Sequence, residues 1–376
     1  MKIVIASDSF KESMTSVEVA DSIEKGFKTV LPHAEYLKIP VADGGEGTVH
    51  ALVNATNGRL IQKTVTGPLG SSIQATYGLL GDGKTAVIEM AEASGLHLIP
   101  TRKRNPLITT TRGIGELIID AVENGVSKII IGLGGSATND GGAGMASALG
   151  VKFLDYDGHE ISDGGGALAQ IAKIDISTMH PRLRDITFEV ACDVDNPLTG
   201  SYGASVIFGP QKGATDEMIT VLDQNLKHYS NVIKRELKCE VQFLPGAGAA
   251  GGLGAGLFAF LKAELKCGVE IVLDSLAFSE QIKGADLVIT GEGRIDRQTI
   301  HGKTPIGIAK RAHQVGVPVI AIAGSLGVGH KFVYEHGISA LFSIVPGVTS
   351  LEDSLTNGKL YLEQCARNIA SVYALK

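Results

Sequence analysis

Short β-branched runs separated by helical stretches constrain this chain more than any other feature. Residues 3–6, 38–41, 128–132, 287–290, 317–323 and 340–345 are short runs rich in β-branched and apolar residues, the pattern of strands buried on both faces of a parallel sheet. Between them lie helix signals. Thr15 and Glu18 form a capping box ahead of Val19, Ile23, Phe27 and Val30, which share one helical face, and Pro32 stops the run. Further helices are expected near 115–124, closed by Gly125, and near 305–314, closed before Gly316. Parallel strands need crossover helices, so the alternation predicts an α/β fold with ligands at the carboxyl ends of its strands.

Two regions break this rhythm. Residues 63–100 read as consecutive strands joined by Gly-rich turns, and 151–245 mix strands with one long helix whose Met218, Leu222, Leu226, Tyr229, Ile233 and Leu237 recur at helical spacing. A chain of 376 residues also exceeds one average domain. The expectation is therefore two α/β domains with the active site in the cleft between them. Residues 1–62, 101–150 and 265–376 would build the parallel-sheet domain, and 63–100 with 151–264 a mixed-sheet domain.

Composition narrows the function. A net charge of −6 with few Lys/Arg clusters disfavours nucleic acid, whose backbone demands clustered cations. No apolar stretch approaches the roughly 18–20 residues of a membrane span, and the N-terminal run is too short for a signal peptide. Cys192, Cys239, Cys267 and Cys365 contain no CxxC pair, which argues for reduced thiols in a cytoplasm. The 48 glycines gather after strand-like runs, where they let a backbone approach a ligand.

Two glycine patterns need discrimination. GLLGDGKT, residues 78–85, satisfies the P-loop pattern, yet strand-like runs flank it on both sides, so a hairpin with an Asp-Gly turn is expected. GLGGSA, residues 132–137, fits a dinucleotide fingerprint, with Asp155 about 20 residues on; GAGAAG, residues 246–251, fits it too. Either run could cradle a phosphate on free backbone N–H groups.

Other segments combine acids, cations and glycine. Asp8 and Lys11 follow the first strand in SDSFKES, and Asp43 and Glu46 follow another in VADGGEG. ACDVDNPL sets Asp193 and Asp195 after FEVA, as oxygen ligands for Mg²⁺ or a base for a hydroxyl. FGPQKG offers Lys212 to a phosphate or carboxylate. ITGEGRIDRQT is read as a strand running into a loop that holds Glu292, Arg294, Asp296 and Arg297, with Lys303 beyond. The scattered histidines give no zinc spacing.

Taken in order, IASDSFKES, PVADGGEGT, IGLGGSATNDGGAGM, ACDVDNPL, FGPQKG, PGAGAAGGLGAG and TGEGRIDRQT resemble the bacterial glycerate kinase family, the type that includes glyoxylate- and glucarate-pathway enzymes, over nearly the whole chain. The resemblance implies one flavodoxin-like and one restriction-enzyme-like domain. It also implies ATP- and Mg²⁺-dependent phosphorylation of D-glycerate, usually to 2-phosphoglycerate. Combined with it, the residues receive roles. ATP falls to Gly134, Gly135, Ser136, Asn139, Asp140, Gly246, Gly248 and Gly251. Substrate falls to Asp8, Ser9, Lys11, Asp43, Glu46, Lys212 and Arg294. Catalysis falls to Asp193 as base with Lys11 and Arg294, and metal to Asp193, Asp195, Glu292 and Asp296. A 3-phosphoglycerate product, an NAD-dependent oxidoreductase built on GLGGSA and Asp155, and a non-catalytic metabolite-binding protein are the alternatives. The expected partner is D-glycerate, without nucleic acid or membrane, and self-association is left open.

Overall fold

The computed structural model describes residues 1–42, 44–45 and 47–375. Among these, the strands are β1 (Lys2–Ile5), β2 (Glu35–Lys38), β3 (Arg59–Thr66), β4 (Ser72–Leu79), β5 (Thr85–Glu89), β6 (Lys128–Gly132), β7 (Lys152–Leu154), β8 (Lys173–Asp175), β9 (Thr187–Ala191), β10 (Glu264–Lys266), β11 (Leu287–Ile295), β12 (Val319–Leu326) and β13 (Ala340–Ser343). They fold into two compact units, Met1–Asp43 with Val269–Lys376, and Gly44–Gly268.

The first unit holds a parallel sheet in the order β13-β12-β11-β1-β2. Counted within the unit, this is the flavodoxin-like order, whose switch point lies between β1 and β11. Ile3, Ile5, Leu287 and Ile289 are fully or almost fully buried in it, each contributing about 1.5–3 kcal/mol against the ordering entropy. The helix Ser16–Lys28 begins as expected: Thr15 Oγ1 accepts from Glu18 N at 3.3 Å and Glu18 Oε2 accepts from Thr15 N at 3.0 Å. It packs closely on the helix Gly358–Tyr373, since a Cβ on Gly26 would lie 2.4 Å from Glu363 O.

Two strands differ from expectation. β2 ends at Lys38, although Ile39 N and Val41 N still donate to Ile5 O and Ser7 O. β11 continues to Ile295, because Arg294 and Ile295 pair with Ser325 and Leu326 of β12. Glu292 and Arg294 therefore stand on a strand, where a loop was expected.

The second unit holds a mixed sheet, β10-β9-β6-β5-β4-β3, with β7 and β8 forming a separate pair. β10, β9, β6 and β5 run parallel, and β4 and β3 close the sheet antiparallel. GLLGDGKT is indeed a hairpin: Leu79 pairs with Ala86, and Asp82 accepts from Lys84 N and Thr85 N across the turn. The long helix spans Asp216–Leu237 and buries Leu222, Leu226, Tyr229 and Ile233.

The boundaries also differ from expectation. Residues 44–62, 101–150 and 265–268 belong to the second unit, because β3 pairs with β4, β6 with β5 and β9, and β10 with β9. A buried β-branched run announces a parallel strand without announcing which sheet it joins. No helix among the described residues is long and apolar enough to cross a membrane.

Candidate active site

The chain leaves β6 at Gly132 and does not turn into a helix. Leu96 N donates to Gly135 O at 2.8 Å and Ala137 N to Ser94 O at 2.9 Å, so Gly135–Ala137 run as an extended segment against Ser94–Leu96. The next helix, Ala143–Ala148, starts only after Gly142. A dinucleotide fingerprint needs that helix at the second glycine. Asp155 fails too: just past β7 it closes a local turn, accepting from Asp157 N and His159 N, and β7 pairs with β8 outside the two larger sheets. The geometry of a nicotinamide-dinucleotide site is thus missing from this segment.

What the loop offers is exposed backbone. Gly134 and Gly135 stand open, Gly135 at φ +72°, and each borders two cavities. One, of about 360 Å³, is lined also by Glu89, Glu92 and His97. The other, of about 240 Å³, is lined also by Ser136, Cys192, Asp193, Phe208 and Gln211. Gly132 of β6 is in register with Ala191 of β9. The glycine loop and Asp193 therefore leave the carboxyl ends of neighbouring parallel strands and face one cavity. Asp193 is exposed and accepts from Gly268 N at 2.9 Å and Cys267 Sγ at 3.5 Å. Asp195 is exposed beside it in sequence.

Glu89, at the end of β5, was not anticipated; the acid closing the apolar run TAVIE is its signal. Burial pushes its carboxyl above the usual range, against the N–H that Val49 donates at 2.9 Å. Phe208 and Gln211 were missed as well, because FGPQKG drew attention to its lysine.

Other expected contacts lie away from solvent. Asn139 and Asp140 are fully buried. Asp140 accepts from Thr111 N, Thr111 Oγ1, Gly142 N and Gly144 N at 2.8–3.2 Å, while burial still drives its pKa up. Asn139 Nδ2 donates to Ser205 Oγ at 3.0 Å. Both brace the loop from behind, a place from which neither presents a side chain to a nucleotide. Lys212, expected at substrate, is also sealed, with Nζ donating to Thr138 O at 2.6 Å. The second glycine run is buried packing: a Cβ on Gly246 would meet Cys192 Sγ at 3.0 Å, on Gly248 Pro197 O at 2.3 Å, and on Gly251 Thr138 O at 1.9 Å.

The first unit collects charge at its switch point. Asp8 N donates to Gly291 O, tying the loop after β1 to β11. The Asp8 carboxylate accepts from Ser9 N at 2.6 Å and Thr304 Oγ1 at 3.0 Å. Glu292 is 8% exposed, accepts from Thr299 Oγ1 at 2.5 Å and lies 3.5 Å from Lys303 Nζ. Burial raises its pKa, Asp8 adds to the rise, and Thr299 and Lys303 oppose it. Arg294 Nε lies 3.2 Å from Asp296 Oδ2, and its side chain is largely exposed. Lys11 is exposed on the loop after β1. Asp43 and Glu46 lie outside the described residues.

The carboxylates divide by their suitability for Mg²⁺, a hard cation that keeps several waters and takes one or two carboxylates. Exposed Asp193 and Asp195 fit that demand. Glu292 and Asp296 instead face the cations Lys303 and Arg294, while Asp193 is held by the neutral donors Gly268 N and Cys267 Sγ.

The glycerate kinase family profile matches residues 3–374. The chain belongs to the glycerate kinase family. Among relatives, the glycerate kinase of Bacillus subtilis (strain 168) is 60% identical over 99% of this chain and 97% of its own. The glycerate 2-kinase of Escherichia coli (strain K12) is 56% identical over 100% of this chain and 98% of its own. A crystal structure described as glycerate kinase 2 from Salmonella typhimurium LT2 superposes with a TM-score of 0.91 at 54% identity, covering 100% of this chain and 98% of that one. A glycerate kinase must hold a polyphosphate and activate a hydroxyl.

Proposed function

We propose that this member of the glycerate kinase family transfers the γ-phosphoryl group of ATP to the 2-hydroxyl of D-glycerate, giving 2-phosphoglycerate and ADP. One observation carries the reading: exposed glycine amides and an exposed carboxylate leave adjacent parallel strands into one cavity. Phosphoryl transfer asks a protein chiefly for alignment and charge neutralisation. Gly134, Gly135 and Ser136 supply donors for phosphate oxygens. Asp193 accepts the hydroxyl proton, its carboxylate oriented by Gly268 N. Lys11 and Arg294 are the cations assigned to the glycerate carboxylate, and Asp195, with Asp193, would hold Mg²⁺. Bound there, the ion would offset negative charge on the phosphates. The 2-position follows from the relative named glycerate 2-kinase.

The test is ADP release by purified protein with Mg·ATP and D-glycerate, followed by phosphorus NMR of the product. A 2-phospho product supports the reading, a 3-phospho product overturns the position, and no turnover with glycerate or other small hydroxy acids overturns the activity. Asp193→Asn should lower kcat by about 10²–10⁴, the usual cost of losing a general base. A loss under about tenfold would remove Asp193 from that role.

A further inference from the structure

Lys212 has no direct contact role in that reading, yet its placement is costly. The side chain is 1% exposed, at the end of the turn Pro210–Lys212, and its ammonium donates to Thr138 O at 2.6 Å. An ammonium brings three donors and a large desolvation penalty, and an apolar side chain of similar length would fill the space without either. Burial pushes its pKa down to about 7, with the Asp140 carboxylate pulling the other way.

Its position explains the expense. Thr138 lies two residues beyond Ser136 on the glycine loop. The segment that carries Lys212 also sends Phe208 and Gln211 to line the cavity that Gly134–Ser136 border. The lysine thus ties two walls of one cavity together from behind. The loop residues it holds are polar and incompletely satisfied: among the described residues, Thr138 Oγ1 and Asn139 Oδ1 are buried without hydrogen-bond partners. The charged and titratable groups of this region are Asp140 on the loop, whose carboxylate favours the ammonium, Tyr229 on the long helix, which also feels Asp140, and Arg104, which donates to Gln211 O at 3.2 Å. Arg104 already carries its charge, whereas burial makes Lys212 the easier group to deprotonate, so the lysine is the one that can gain positive charge when an anion arrives.

We propose that Lys212 is the positioning residue of the phosphate loop, fixing Thr138 against the Phe208–Gln211 wall and taking up a proton when a polyphosphate settles on Gly134–Ser136. This rests on the reading that ATP phosphates bind that loop. A polyanion nearby favours the charged lysine, so binding above pH 7 draws a proton from solution.

The experiment is calorimetric titration of ATP into the full-length protein at pH 8, in buffers of differing ionisation enthalpy. Wild type should take up a substantial fraction of a proton. Lys212→Met should take up none and bind ATP at least about tenfold more weakly. Lys212→Arg, always charged, should keep more of the affinity and lose the uptake. Wild-type uptake persisting in either variant overturns the proposal, as does unchanged affinity in a folded Lys212→Met. If the Met variant fails to fold, uptake in the Arg variant still decides. A Gly134→Ala variant with unaltered ATP affinity would overturn the loop reading first and this proposal with it, which separates the two failures.

Discussion

The two glycine runs of this chain look alike on paper and do opposite things. Gly132–Gly135 follow β6 and end in two exposed glycines that border open cavities. Gly246–Gly252 are buried, and left-handed Ala250, Gly251 and Gly252 break the first turn of the helix Ala249–Leu261. There the missing side chains make room for protein: Thr138 O would sit 1.9 Å from a Cβ on Gly251. The second run is packing that supports the first, since Gly141 N donates to Gly251 O at 3.0 Å. A glycine motif therefore shows only that something approaches the backbone, and burial decides whether that is a ligand or the chain itself.

Substitutions in either run, and pH, test this contrast. The largest effect is expected at Gly251→Ala, which combines a positive φ of +69° with a backbone clash. It should cost about 3 kcal/mol or more, lowering the denaturation midpoint before any catalytic effect is read. An intermediate effect is expected from pH. Lys212 titrates near 7 when folded and near 10.4 when unfolded, so the unfolded chain holds the extra proton in between. Stability of wild type relative to Lys212→Met should rise from about pH 7 toward pH 10, by at most about 1.4 kcal/mol per unit, and stay level below 7. Denaturant melts at three pH values would show it. The smallest effect on stability is expected at Gly134→Ala, whose Cβ would find Gly45 Cα at 3.8 Å as its nearest neighbour. Its folding free energy should stay within about 0.5 kcal/mol of wild type, while kcat/KM for ATP falls roughly tenfold because the methyl enters the cavity.

Local chemistry was legible in the sequence wherever the signal is local. The capping box of Thr15 and Glu18, the Asp82 turn that turns a P-loop pattern into a hairpin, and the Leu222-to-Ile233 helical face depend on residues a few positions apart. Pairing between distant segments was not. β11 extends through Arg294 because β12 lies beside it, and β6 joins the second unit because β5 and β9 flank it. The site followed the same divide. The strand-end placement of Asp193 and of the exposed glycines could be read from the sequence, whereas Lys212, expected at substrate, is buried and donates to Thr138 O, 74 positions away. Glu89 escaped because a single acid at the end of a strand carries little signal until the cavity above it is seen.

The most direct measurement is amide hydrogen exchange with and without Mg·ATP. If phosphates rest on the first glycine run, exchange across residues 133–137 slows on nucleotide binding, and 246–252, already packed, changes little. Slowing confined to 246–252, or none at 133–137 under saturating nucleotide, would contradict the account.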